Sequence, residues 1–267
     1  MAQSEIYTRK GFLPMIRRET LGAELWAEFV GTALLILFGD GVVANVVFAP
    51  RLAGTAYDWN TIAWGWAMAV AMAVYVAGGI TGAHINPAVT LAAVVRRGMP
   101  IGKAIGYWVV QLVGAFVGAA LVYLVYLGDF QKKGFTNVFY TGPGGNYGDI
   151  LWQNFIVEVI GTFVLIVFIY AIVDSVNNLG PGANLWPFMV GIAVFAIGLS
   201  LGGPTGYAIN PARDLGPRIF SLFVGDTNGF TGLYWLVVPI IGPLVGGVLG
   251  AFFYDFGITP ALPVKKS

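Results

Sequence analysis

The chain has 267 residues, of which 57% are hydrophobic and only 10% charged, and its mean hydropathy of +0.78 is far above that of a soluble domain. A net charge of +1 leaves no case for nucleic acid as a partner, and the absence of cysteine excludes disulfides, thiolate chemistry and cysteine-held metals. With a single histidine, His84, a histidine-rich metal site is excluded too, so the composition predicts an integral membrane protein in a lipid bilayer with no metal and no cofactor.

Residues 1–23 hold Arg9, Lys10, Arg17 and Arg18 ahead of the first apolar run. That run is too long for a signal-peptide core and no cleavage site follows, so the tail reads as a retained cytoplasmic flank. Six runs reach the roughly 20 residues needed to cross a hydrocarbon core: 24–47, 60–79, 103–127, 151–173, 185–201 and 232–256. The connectors 48–59 and 128–150 carry the glycine, proline, asparagine and aspartate of turns and are predicted as loops, and 257–267 forms a second cytoplasmic tail. Asp40, late in the first span, has no role in this reading beyond a place near the outer interface of the membrane.

The domain 24–256 divides at the linker 128–150 into repeat one, 24–127, and repeat two, 151–256. Ala27-Glu-Phe-Val-Gly-Thr32 opens the first and Val157-Glu-Val-Ile-Gly-Thr162 the second, while Val110-Gln-Leu-Val-Gly-Ala-Phe-Val-Gly118 parallels Val238-Pro-Ile-Ile-Gly-Pro-Leu-Val-Gly246. Three spans per half insert the halves in opposite directions, and inverted repeats of this kind place a site near the midplane where broken helices meet. Gly114 with Gly118, and Gly242 with Gly246 and Gly250, have the four-residue spacing that lets helix backbones approach closely inside one subunit.

The strongest signal is a pair of polar motifs, Ile80-Thr-Gly-Ala-His-Ile-Asn-Pro-Ala-Val-Thr90 and Gly203-Pro-Thr-Gly-Tyr-Ala-Ile-Asn-Pro-Ala-Arg-Asp-Leu-Gly-Pro217, whose asparagines Asn86 and Asn210 lie 124 residues apart. Proline lacks an N–H and has a fixed φ, which suits the first helical position, and asparagine before it suits the cap. Each motif therefore starts a helix, but the runs that follow, 87–95 and 211–224, are too short to cross about 30 Å of hydrocarbon. They read as half-helices entering the membrane and stopping, with the irregular backbone ahead of them covered by protein or lining a water-filled pathway. If they meet end to end, their positive amino termini disfavour a cation at the midplane, and Asn86 and Asn210 offer N–H donors to a passing hydroxyl.

Six spans put both termini on one side. The amino tail, the 96–103 loop and Lys265–Lys266 hold nine of the fourteen lysines and arginines, which makes that side the cytoplasm.

Paired Asn-Pro-Ala motifs on three-plus-three apolar segments resemble the aquaporin (major intrinsic protein) family of water and small-solute channels. The likeness covers residues 24–256 and implies an all-α membrane fold of six transmembrane helices plus two re-entrant half-helices, arranged as inverted repeats around a pore, in a homotetramer. Asn-Pro-Ala-Arg followed by Asp214, with Pro239-Ile240 in the last span, is similar to the glycerol-conducting branch, for which Asp214 serves as a marker. Within that likeness Arg213 falls in a selectivity filter with Trp66, Gly198 and Tyr207, while Trp64 faces elsewhere. Tyr207 departs from the phenylalanine common in glycerol channels, and Gly198 stands where strict water channels have histidine. The likeness also implies that Glu28 and Glu158 accept hydrogen bonds from the re-entrant backbones. The carbonyls of Gly82, Ala83 and His84, and of Gly206, Tyr207 and Ala208, would then line the pore.

A passive channel for glycerol and related small neutral solutes, with some water flow and exclusion of protons and ions, is the leading expectation. A water-dominated channel, or one for urea, ammonia, lactic acid or metalloid acids, uses the same fold. A secondary active transporter also uses inverted repeats and broken helices but needs a coupling-ion site, for which only Glu28 and Glu158 are available. A closed junction or scaffold protein would not need two intact motifs. No nucleophile-base pair, phosphate loop or metal cluster supports an enzyme.

Overall fold

The computed structural model describes residues 19–49, 51, 54, 58–135, 138–145 and 150–263, and among them every regular element is a helix. The expected tails lie largely outside the described residues. Helix α1 (Leu21–Phe48) begins at Thr20, whose hydroxyl accepts from the Ala23 N–H, and α2 (Trp59–Thr81) begins at Asp58, whose carboxylate accepts from Asn60 and Thr61. In both, a short oxygen-bearing side chain satisfies N–H groups that the first turn leaves unpaired. There follow α3 (Pro87–Arg96), α4 (Ile101–Val125), α5 (Leu127–Lys133), α6 (Leu151–Val173), α7 (Trp186–Leu201), α8 (Pro211–Phe223) and α9 (Tyr234–Ala261).

Helices α1, α2, α4, α6 and α9 are long and apolar enough to cross a membrane. The remaining expected span, α7, has 16 residues, about 24 Å at 1.5 Å per residue, so it is roughly a turn short of the hydrocarbon thickness. At 10 and 13 residues, α3 and α8 cannot cross. Helix α9 runs five residues beyond the expected end at 256 and widens to π-helical turns over Val237–Ile241 and Tyr254–Ile258. The first widening has a covalent cause, because Pro243 has no N–H to give the carbonyl of Pro239 four residues back.

The two halves pack alike. Helix α4 lies along α1 and α9 along α6, and glycines set both approaches. A methyl group on Gly114 would overlap the Phe29 carbonyl and one on Gly118 the Ala33 carbonyl. In the other half, Gly246 and Gly250 lie equally close to the carbonyls of Val159 and Phe163. The halves are then laced together, since α2 packs on α7, α3 on α9, and α8 on α4. Each short helix thus rests on a long helix of the opposite half.

The linker differs from the expected loop at its start. Its first residues form α5, with Asp129 in the first turn and Lys132 and Lys133 in the last, charges that suit the helix dipole, and Phe130 buried against Phe48 and Phe139. Its described later part, 138–145, runs back over the molecule to the second motif, where the Gly144 N–H donates to the Pro204 carbonyl at 2.7 Å.

Candidate functional site

Both half-helices begin as the motifs require. The Asn86 Oδ1 accepts from the Ala88 N–H at 2.8 Å, and the Asn210 Oδ1 accepts from the N–H groups of Ala212 and Arg213 at 3.1 and 3.2 Å, with proline at the first helical position in each. The two caps then meet. The Asn86 side-chain NH2 donates to the Ile209 carbonyl and the Asn210 NH2 to the Ile85 carbonyl, each at 2.8 Å. Helices α3 and α8 therefore present their amino ends to one another at the centre of the protein. An amide NH2 has two donors, so each asparagine has one N–H engaged by the opposite loop and one left over.

The loops that lead to these caps are folded by the two buried glutamates. Glu28 accepts from the Thr81 hydroxyl (2.6 Å) and His84 N–H (2.9 Å) on one oxygen, and from the Ile85 N–H (2.6 Å) and Gln111 side chain (2.8 Å) on the other. Glu158 accepts from the Thr205 hydroxyl (2.6 Å) and from the N–H groups of Ala208 and Ile209, both at 2.8 Å. Gln111 has no counterpart in the second half, where the matching residue of the repeat is Pro239. Fully buried carboxylates are tolerated when hydrogen bonds of this kind replace water.

A trans peptide points its N–H and its preceding C=O in opposite directions. Glu28 holds the N–H groups of His84 and Ile85, so the carbonyls of Ala83 and His84 face away from it; Thr81 does the same for Gly82 through the Ala83 N–H. In the second loop Glu158 and Thr205 turn out the carbonyls of Gly206, Tyr207 and Ala208. None of these six carbonyls accepts a hydrogen bond among the described residues. The geometry needs positive φ at matched places, 77° at Gly82 and 82° at Gly206, and also 50° and 42° at Ala83 and Ile85 against 40° and 43° at Tyr207 and Ile209. A β-branched residue in that region is strained, and the carboxylate bonds hold it there.

Between the loops lies a narrow cavity of about 60 Å³, lined by Trp66, Tyr207 and Arg213, by Asn86 and Asn210, and by Ala83, His84 and Ala208 of the loops. Leu35, Val70, Val74, Val89, Leu165 and Val194 supply its apolar lining. Through Ala83, His84 and Val89 it adjoins a wider cavity of about 660 Å³ that Gly82, Arg97, Asp174 and Trp186 also line. The Arg213 guanidinium lies 4.1 Å from the centre of the Trp66 ring, and its Nη1 makes no hydrogen bond to a described residue. Gly198 and Gly206 do not line the narrow cavity. Gly198 instead abuts Tyr207, whose ring lies where its side chain would be, 2.8 Å from an added methyl. Trp59 donates its indole N–H to the Gly198 carbonyl at 3.0 Å and meets the Tyr207 ring edge-on. Trp64 is half-exposed and stacks on Phe195, away from the cavity.

Asp214 has a definite place. It accepts from the N–H and hydroxyl of Thr141 at 2.8 and 2.6 Å and from the Arg218 guanidinium at 2.7 Å, while Arg218 also donates to the carbonyls of Thr141 and Gly229. The linker is thereby tied to α8 at the residue that follows Arg213. Near this clamp, burial, followed by a hydrogen bond to Asp226, pushes the Tyr140 phenol well above its ordinary pKa. Asp40, for which only a place near the outer interface was expected, is fully buried in the protein, with Oδ1 4.0 Å from Arg213 Nη1.

The sequence reading missed Thr81, Thr205, Gln111, Thr141 and Trp59. Thr81 and Thr205 carried a signal, since each precedes the repeated glycine of its motif; Gln111, Thr141 and Trp59 had none.

Two re-entrant half-helices capped by asparagine, on paired bundles and flanking a half-polar cavity, define a membrane channel architecture. The family model described as major intrinsic protein matches residues 15–254, and the chain belongs to that family. It is 48% identical over 238 residues to a probable glycerol uptake facilitator protein of Thermotoga maritima, covering 86% of this chain and 97% of the relative. It is also 38% identical over 267 residues to the glycerol uptake facilitator protein of Escherichia coli, covering 93% and 92%. Among solved structures it is similar to the aquaglyceroporin from Plasmodium falciparum, with a TM-score of 0.83, 33% identity and coverage of 91% of this chain and 99% of that one.

Proposed function

We propose that the chain is a passive channel for glycerol and similar small neutral solutes, with some water flow, in a cell membrane. Its termini are cytoplasmic and it assembles as a homotetramer by family likeness. The observation that carries this reading is the cavity itself, whose lining combines aliphatic side chains with the residues of the free loop carbonyls, the two asparagines with a spare amide donor each, and the Arg213 guanidinium. A polyol combines the matching groups, carbons on one edge and hydroxyls on the other. Its hydroxyls exchange water for Arg213, Asn86, Asn210 and the carbonyls of Ala83, His84 and Ala208, while its carbons lie against Trp66, Tyr207 and the aliphatic side chains.

Ion exclusion rests on two features. The facing amino ends of α3 and α8 each contribute about half a positive charge, and Arg213 adds a further cationic group to the lining of the narrow cavity. A cation also loses hydration that the carbonyls replace only in part. Glu28 and Glu158 serve the backbone in this mechanism, and no group is assigned to coupling ions or to chemistry on the solute.

The reading is tested by stopped-flow light scattering on reconstituted vesicles under water and glycerol gradients. Glycerol flux well above that of empty vesicles, and unaffected by proton or sodium gradients, is the expected result. Water flux without glycerol flux would make it a water channel, a reading favoured by the Tyr207 ring that fills the space at Gly198. Accumulation of labelled glycerol against its gradient would make it a transporter.

A further inference from the structure

Asp40 is fully buried in α1, and neither of its carboxylate oxygens has a hydrogen-bond partner among the described residues. Arg213 lies closest to it as an opposite charge, with Nη1 4.0 Å from Asp40 Oδ1 and itself without a hydrogen-bond partner among the described residues. The preceding residue explains how the two come together. Gly39 has no side chain because the Trp66 ring occupies that volume, and the Arg213 guanidinium lies over the same ring, 4.1 Å from its centre. The Gly39-Asp40 step therefore seats the filter tryptophan and brings a carboxylate to the guanidinium lying on it. Asp40 does not line the narrow cavity, so it acts on a solute through Arg213.

We propose that Asp40 is the counter-ion of the filter arginine and sets the charge selectivity of the channel. A buried carboxylate without hydrogen bonds persists when an opposite charge compensates it. The pair is neutral at a distance, while the N–H groups of Arg213 still point at a solute within hydrogen-bond reach. The filter thus donates to a neutral hydroxyl without drawing in anions, which an isolated guanidinium in a low-dielectric pore would attract. The relation is reciprocal. Without Arg213, the carboxylate of Asp40 is left uncompensated beside the cavity and attracts cations.

This inference rests on the proposed function, and four proteins in vesicles separate the two: wild type, Asp40→Asn, Arg213→Val and the double variant. Glycerol is followed by light scattering, and nitrate and sodium by ion-flux assay. Asp40→Asn is expected to raise the nitrate-to-glycerol flux ratio by about tenfold, as an uncompensated charge in a pore concentrates its counter-ion. Arg213→Val is expected to leak sodium, and the double variant to leak about fivefold less, because the attracting carboxylate has gone. A nitrate ratio in Asp40→Asn indistinguishable from wild type overturns the proposal. So does a sodium leak equal in the single and double variants, a comparison that holds even if Asp40→Asn alone does not insert. A wild type that passes no glycerol overturns the proposed function as well, whereas normal wild-type flux with unaltered ion ratios overturns this inference alone.

Discussion

At Gly198 the Tyr207 ring stands where a side chain would be, so the width of the proposed filter would be set by a pair of residues. A single methyl there would lie 2.8 Å from the Tyr207 Cζ, a distance that forces the ring to move. Trp59 blocks retreat on one side, so the ring is driven toward the cavity. Gly198→Ala should lower glycerol flux more than water flux, and Gly198→His should do so more strongly. Unchanged glycerol flux in a correctly inserted variant would remove Gly198 from the filter. At Arg213 the electrostatic roles can be separated. Arg213→Val removes one barrier and leaves the amino ends of α3 and α8, so its proton or sodium leak should stay small compared with glycerol flux in the wild type. A leak no larger than in wild type would confine exclusion to the half-helices.

Among the elements, the re-entrant loops depend on acceptors outside themselves. Glu28 and Glu158 together hold four loop N–H groups and two threonine hydroxyls. Glu28→Gln and Glu158→Gln each replace an acceptor oxygen by a donor facing backbone N–H groups. Losing a hydrogen bond to a charged oxygen costs about 1.5–3 kcal/mol, so folded yield should fall more than selectivity changes. Normal yield with a changed pH dependence of flux would point to a proton-linked role instead. Asp214 has a second element in its keeping, because it fixes both the linker and Arg218. Asp214→Asn leaves the buried Arg218 without its carboxylate, and breaking such a pair costs about 3–5 kcal/mol. A clear fall in thermal unfolding temperature in detergent is expected, and a fall no greater than for an exposed control such as Glu19→Gln would show that the clamp contributes little.

For the molecule as a whole, interlocked halves fix where each surface segment emerges. Three spans per half place the 174–185 connector on the side of the termini and the 224–233 segment on the other. The absence of cysteine makes this directly measurable. Ser175→Cys should react with an impermeant thiol reagent only from the cytoplasmic face, and Thr227→Cys only from the outer face. The opposite labelling pattern would reverse the orientation drawn from the distribution of lysine and arginine.

The all-helical membrane fold, the long helices and the two half-helix starts were legible in the sequence, because each depends on local chemistry: run length against membrane thickness, and Asn-Pro at a helix start. The repeat also made the parallel duties of Glu28 and Glu158 readable, and the glycine spacings within α4 and α9 pointed to the tight crossings on α1 and α6. Beyond that reach lay everything that depends on which surfaces meet. Only the tertiary structure decided that each asparagine gives one N–H to the opposite loop, that the linker begins as a helix and ends as a clamp on Asp214, and that Tyr207 fills the room left by Gly198. Asp40 is the sharpest instance. A lone aspartate in an apolar span carries no information about its partner 173 positions later, because ion pairing depends on distance in space, and the packing of α1 against Trp66 brings its carboxylate to Arg213.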